Sequence, residues 1–360
     1  MLLRGLPTRT IWPTPEGDAV LTLDQRVLPH RVETVRIATL ADAVDAIREM
    51  TVRGAPLIGV TAAYGLALAA RNDPRDAALE QAARRLEAAR PTAVNLAWAV
   101  RRTLEHAMAR PLGERAAAAW TYAGRMADDD VATNDAIGRH GLELLRGLVG
   151  RKRGQTLQVL THCNAGWLAT VDWGTALAPV YRAQTEGLPV HVWVDETRPR
   201  NQGASLTAFE LREQGIAHTV VADNAGGHLM QSGRVDAVIV GCDRVTAHGD
   251  VANKIGTYLK ALAAHDNGVP FYVAMPLSTL DRTLADGATE VPIEERSARE
   301  VTHLTGRSAD GAMVEVQLVP EGTAAANPAF DVTPARLVTA LITERGAVPA
   351  TAQAIATLAE

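Results

Sequence analysis

After Gly150 the sequence repeats one unit: a short β-branched, almost wholly apolar run, then a polar turn, then a helix-like stretch. The runs are Leu157–Thr161, Val190–Val194, His218–Ala222, Ala237–Val240 and Phe271–Ala274. Strands this apolar are buried on both faces, which requires helices above and below the sheet. Strands alternating with helices predict a parallel, doubly wound α/β sheet. In such open sheets ligands bind at the carboxyl ends of the strands. Most polar and reactive residues of this half fall at that edge. They include His162-Cys163-Asn164, Glu196 through Gly203, Asp223-Asn224 and Gly241-Cys242-Asp243-Arg244.

The first half reads differently. Short extended pieces, Val20–Leu23 and Val32–Val35, are broken by prolines and glycine. From Thr39, a predicted cap, the periodicity is helical over 40–50, 56–70, 75–90, 93–109, 113–126 and 128–148. The expected division is a mainly helical domain over 1–127, a connecting helix over 128–152, and a catalytic domain over 153–360. A chain of 360 residues is long enough for two cores.

Composition closes off several functions. A net charge of -5 and a pI near 6.1 leave no footprint for nucleic acid. No apolar run approaches the roughly 20 residues that span a bilayer. The start, Met1 to Pro7, lacks the apolar core of a secretion signal, so the cytoplasm is the expected compartment. Two cysteines, Cys163 and Cys242, are too few for a disulfide framework or a structural zinc site. The ten histidines do not cluster at ligand spacing, so no metal is expected. Neither GxGxxG nor GxxxxGK[ST] occurs, which disfavours a nucleotide cofactor, and there is no GxSxG elbow.

Three constellations remain. Arg53-Gly54-Ala55-Pro56 opens an apolar helix with an arginine beside free N–H groups. It reads either as an anion site or as a tight loop into a buried helix. Asn253-Lys254 falls at an expected loop-to-helix junction, an anion site or a capped helix with an exposed lysine. Only three lysines occur among 36 basic residues, which draws attention to Lys254, while Lys152 and Lys260 are consistent with chance. Arg90 sits between two helices. Cys163 and Asp243 matter most: both end predicted strands and face one crevice. A carboxyl group in a water-poor pocket becomes an acid near neutrality, and a thiol beside it can shuttle a proton. Cys242 alternates to the far face and is expected in the core.

These stretches together resemble the methylthioribose-1-phosphate isomerase family. The resembling pieces are Val52 through Gly65, Arg90 through Leu96, Thr161 through Gly166, Glu196 through Gly203, Gly241 through Tyr258, and Asn327 through Pro334. Departures at Leu57, Cys242 and Thr246-Ala247-His248 touch no position that the mechanism needs. The resemblance implies a Rossmann-like second domain, a homodimer and a small phosphorylated sugar as substrate, with no cofactor. It implies Asp243 as proton donor, Cys163 as second catalytic group, and Arg53, Gly54, Ala55, Arg90, Gln202, Asn253 and Lys254 as substrate-binding residues. Its chemistry is aldose to ketose, with hydrogen passing from C2 to C1 as a proton or as a hydride. Two related activities stay open: isomerisation of ribose 1,5-bisphosphate, and the partner-binding role of the regulatory subunits of the exchange factor for translation initiation factor two.

Overall fold

The computed structural model describes residues 1–90, 93–152 and 155–358. The five apolar runs all become strands of one seven-stranded sheet. Its spatial order is Gly346–Val348, Ala340–Thr343, Phe271–Ala274, Ala237–Val240, Leu157–Thr161, Val190–Asp195, Ala217–Val221. Every pairing is parallel except the hairpin joining the first two. The chain lays strands outward from Leu157–Thr161 on one side, then starts the other side with Ala237–Val240. These two neighbours form the topological switch point of the sheet, where a crevice opens. Ala237–Val240 and Phe271–Ala274 are buried throughout, as their unbroken apolar sequences require.

A second, four-stranded sheet was not foreseen. It runs Leu280–Asp281, Arg244–Thr246, Val251–Lys254, Phe330–Thr333. Asn253 and Lys254 therefore lie in a strand, not at a loop-to-helix junction. The following helix starts only at Thr257, after a turn at Gly256, whose φ of +101° suits glycine. The sequence hides this strand because it is four residues long and its second half, Asn253-Lys254, is polar although buried.

In the first half, Thr39 caps Leu40–Arg48 and forms a capping box with Asp42. Ala55–Asn72 is buried nearly all round, packed among the helices Leu40–Arg48, Val94–Met108 and Arg115–Lys152. The two helices expected over 113–126 and 128–148 are one continuous helix of 38 residues, Arg115–Lys152, so the segment 128–152 is its C-terminal part. The Asp128-Asp129-Asp130 cluster resembles a capping signal but serves tertiary contacts instead. Asp128 pairs with Arg9 at 2.8 Å, and Asp130 accepts the Val171 N–H at 2.7 Å. Among the described residues no helix is long and apolar enough to cross a membrane.

Candidate active site

Cys163 and Asp243 leave the two strands that flank the switch point. Cys163 is buried with its backbone in the left-handed region, φ +65°. Its N–H donates to Thr197 Oγ1 at 2.8 Å and its carbonyl accepts from Thr207 Oγ1 at 2.7 Å. Asp243 is tied through its own N–H to the Ala252 carbonyl, 2.9 Å away, so the second sheet fixes its position. Burial pushes the Asp243 carboxyl above its ordinary range, against the opposing pull of Arg90, Lys254 and Arg53. An acid that stays protonated closer to neutrality is what proton donation needs.

Three cations ring this pair. The Arg53 guanidinium donates to the side chain and, at 2.8 Å, to the carbonyl of Asn164. Cys163 and Asp243 both favour its charge against the cost of burial. Gly54 next to it has φ +94°, and a Cβ there would collide with the Ala169 backbone. Only glycine brings the start of the Ala55 helix so close, and no side chain caps that helix start. Lys254 is only 8% exposed, its ammonium 4.8 Å from the Phe330 ring centre. Burial lowers its pKa, while Cys163 and Asp243 work the other way. Arg90 reaches Glu294 at 3.5 Å, and its Nε is buried without a partner. Pro91 and Thr92, read together with Arg90, lie outside the described residues.

Asn253 is buried and donates to Thr257 Oγ1 at 3.0 Å. Gln202 is buried too, with its Oε1 unpartnered. Gln202 and Arg53 line a cavity of about 490 Å³, together with Leu28, Met50 and Leu206. A smaller recess is bounded by Ala55, Arg90, Asp243 and Phe330. Arg53, Arg90, Lys254, Cys163 and Asp243 lie close enough to act on one another's charges, with Gly54 and Ala55 following Arg53 and Gln202 sharing its cavity, whereas Asn253 is engaged with Thr257. Buried polar atoms without partners are costly unless a ligand completes them, and two of those here belong to Arg90 and Gln202.

Several supporting residues escaped the sequence reading. Glu210 is fully buried under the Cys163 loop, accepting from Asn164 Nδ2 and the Leu168 and Trp167 N–H groups at 2.9–3.0 Å, and from the Tyr181 hydroxyl. A segment from Glu294 to Glu300 runs alongside the cations. Glu294 meets Arg90 and Arg296, while Glu300 meets Arg296, Arg200 and Asn327. Burial works to raise the Glu300 carboxyl, but hydrogen bonds from Arg296 and Arg200 outweigh it and hold it at about 2. Lys260, taken as chance, is 4% exposed and pairs with the buried Asp195 at 3.2 Å. His162, Asp195 and Asp223 bring ligand atoms within 4.8 Å of one another, the one such grouping among the described residues. Most of their ligand atoms are engaged: His162 Nδ1 and the Lys260 ammonium meet Asp195 Oδ2, and backbone N–H groups occupy both Asp223 oxygens, while Asp195 Oδ1 is buried without a partner.

A doubly wound sheet with an acid, a thiol and three cations near its switch point is an arrangement suited to an enzyme acting on a small anionic substrate. Residues 51–350 match the family described as the initiation factor 2 subunit family. The methylthioribose-1-phosphate isomerase of Methylorubrum populi is 62% identical over 358 residues, spanning 99% of this chain and 98% of its own length. That of Methylobacterium nodulans is 62% identical over 355 residues, spanning 99% and 97%. Among solved structures, 5-methylthioribose 1-phosphate isomerase from Pyrococcus horikoshii OT3 is similar with a TM-score of 0.83 at 38% identity, covering 98% of this chain and 96% of that one. A structure described as translation initiation factor eIF-2B, subunit delta, from A. fulgidus gives 0.77 at 39% identity, covering 95% and 96%. The chain belongs to this family, among its methylthioribose-1-phosphate isomerases.

Proposed function

We propose that this enzyme converts 5-methylthioribose 1-phosphate to 5-methylthioribulose 1-phosphate, an aldose-to-ketose isomerisation within methionine salvage. The observation that carries the reading is the placement of Cys163 and Asp243 at the switch point, ringed by Arg53, Arg90 and Lys254. An aldose esterified at its anomeric oxygen cannot open as a hemiacetal, so opening requires an acid at the ring oxygen. Asp243 fills that role. Cleavage of the bond between C1 and the ring oxygen leaves an electron-poor C1; hydrogen then passes from C2 to C1 with Cys163 as the second group, and the C2 hydroxyl gives up its proton, which leaves the C2 carbonyl and restores the acid. Arg53, Arg90 and Lys254, with the N–H groups at Ala55, supply the positive field that phosphate needs without a metal or nucleotide. Gln202 and Asn253 offer their amides to the sugar. Residues 1–127, 128–152 and 153–360 are read as helical domain, connecting helix and catalytic domain of a cytoplasmic homodimer.

One observation bears on the distal substituent. Arg26, Arg200 and Arg299 line the cavity beside Arg53, but each is paired with a carboxylate: Asp24, Glu300 and Glu315. Leu28, Met50 and Leu206 face the same space, which suits a methylthio group better than a second phosphate. The test is turnover of methylthioribose 1-phosphate beside ribose 1,5-bisphosphate, with chelator present throughout. Turnover of the first substrate alone is expected. Preference for the bisphosphate would assign the other isomerase, absence of turnover on both would favour a partner-binding role, and loss to chelator with rescue by a metal would overturn the metal-free reading.

Lys254→Ala isolates the phosphate contact. Removing a charge-assisted bond should weaken substrate binding by about 1.5–3 kcal/mol. Inorganic phosphate should then inhibit the wild type at lower concentration than the variant. Equal inhibition of the two would place Lys254 outside the phosphate site.

A further inference from the structure

Thr197 has φ +66°, a left-handed conformation that a β-branched residue avoids. It is wholly buried and lies two residues beyond the Val190–Asp195 strand, across from Cys163, which is left-handed too. Such conformations are costly and persist only where surrounding contacts over-determine them. The contacts are on hand. Thr197 Oγ1 accepts the Cys163 N–H at 2.8 Å and donates to the Asp195 carbonyl at 3.0 Å. The N–H groups of Thr197 and Arg198 donate to the two oxygens of Asp223, at 2.6 and 2.7 Å. The Lys260 ammonium, nearly excluded from water, bonds to the Asp223 carbonyl and pairs with Asp195. Asp195 also meets His162 Nδ1 at 2.9 Å, and the other ring nitrogen of His162 meets the carbonyl of Ile255, next to Lys254. The ends of three neighbouring strands are thereby locked together behind the crevice.

We propose that Thr197 is a positioning residue for the isomerisation: its hydroxyl, held by the Asp195 carbonyl and the Asp223-bound backbone, keeps the Cys163 turn in the conformation that presents the thiol between Arg53 and Lys254. The hydroxyl is the contact that matters, since it alone joins Thr197 to the Cys163 main chain. The inference rests on the reading of Cys163 as a catalytic group, and the experiment separates the two.

Thr197→Val keeps the shape and the branching at Cβ but removes the hydroxyl, while Thr197→Ser keeps the hydroxyl. Both are measured in a Cys242→Ser background, so that alkylation by iodoacetamide reports Cys163 alone. Misplacing a reacting group by a fraction of an ångström should lower kcat for Thr197→Val by roughly 10- to 100-fold. KM should stay within about twofold, because the phosphate-binding cations are untouched. The pH profile of Cys163 alkylation should shift, and Thr197→Ser should restore both readouts. Wild-type kcat and an unchanged alkylation profile in Thr197→Val would overturn the proposal. If Cys163→Ser abolishes turnover in that same comparison, the catalytic reading survives; if Cys163→Ser turns over normally, that reading is what fails. Should Thr197→Val not fold, Asp223→Asn decides, because its amide group confronts one of the two N–H donors. Lower kcat at constant KM supports the proposal, and unaltered kcat overturns it.

Discussion

Asp243→Asn should lower turnover by about 10²–10⁴, the share that a positioned acid usually contributes. The amide has the shape of the carboxyl group but no titratable proton. Folding should be little affected, since the Asp243 backbone is held through its own N–H to Ala252 rather than through the side chain. The pH profile gives a sharper test. Burial raises the Asp243 pKa, and the proposed mechanism uses the protonated form, so activity should fall as pH rises through that raised value. Arg90, Lys254 and Arg53 pull in the opposite direction. Bound phosphate neutralises part of their field, so the alkaline limb of kcat, which reports the complex, should lie above that of kcat/KM, which reports the free enzyme. Both limbs should vanish from the residual activity of the variant. Wild-type turnover with an unchanged alkaline limb in Asp243→Asn would move the acid to another residue.

The central sheet was legible because strands buried on both faces carry their own signature, an unbroken apolar run. Residues 340–348 escaped notice although Leu341 and Ile342 are just as buried, because no turn-and-helix unit brackets them as it brackets the others. The second sheet was illegible for a different reason. Its Val251–Lys254 strand is buried along its whole length but half apolar and half polar, so it shows neither an unbroken apolar run nor an alternation. The continuous Arg115–Lys152 helix looks like two in the sequence because aspartates are good helix caps. Nothing local reveals that Asp128 and Asp130 are claimed by Arg9 and Val171, far away in the chain.

The same distinction holds at the site. Cys163 and Asp243 stand out in the sequence because strand ends in this architecture point at ligands, and Arg53 because it adjoins a glycine at the start of a helix. Residues that brace them from behind were not found. Glu210 sits between Phe209 and Leu211 on an ordinary-looking helix, and its partners lie 29 to 46 positions away. Thr197 looks like a small polar residue in a turn until its backbone angle is known. Scarcity of lysine did point at Lys254, and it should have pointed at Lys260 with equal force. A composition this poor in lysine leaves few to chance, and Lys260 is as buried as Lys254.

Cys163→Ser should reduce turnover on a scale comparable to Asp243→Asn, about 10²–10⁴, because a hydroxyl ionises far less readily than a thiol and is the poorer proton carrier. The substitution removes no contact that shapes the site: the bonds to Thr197 and Thr207 come from the Cys163 main chain and survive in serine. Thermal stability and phosphate inhibition should therefore stay near wild type, separating chemistry from binding. Cys242→Ser is the control from the same strand end region. Its thiol packs against the apolar cluster around Val238, Val240 and Val273, and burial pushes it well above its ordinary range. Cys242 is partly buried, and serine gives up the apolar contacts of the sulfur, so stability should drop by about 1 kcal/mol while the rate per folded molecule is kept. The two cysteines are thus expected to fail in opposite ways, one losing rate with its fold intact and the other losing stability with its rate intact. If Cys242→Ser abolished turnover and Cys163→Ser spared it, the assignment of the two cysteines would be reversed, and with it the claim that the reacting carbons sit at the switch point between Leu157–Thr161 and Ala237–Val240.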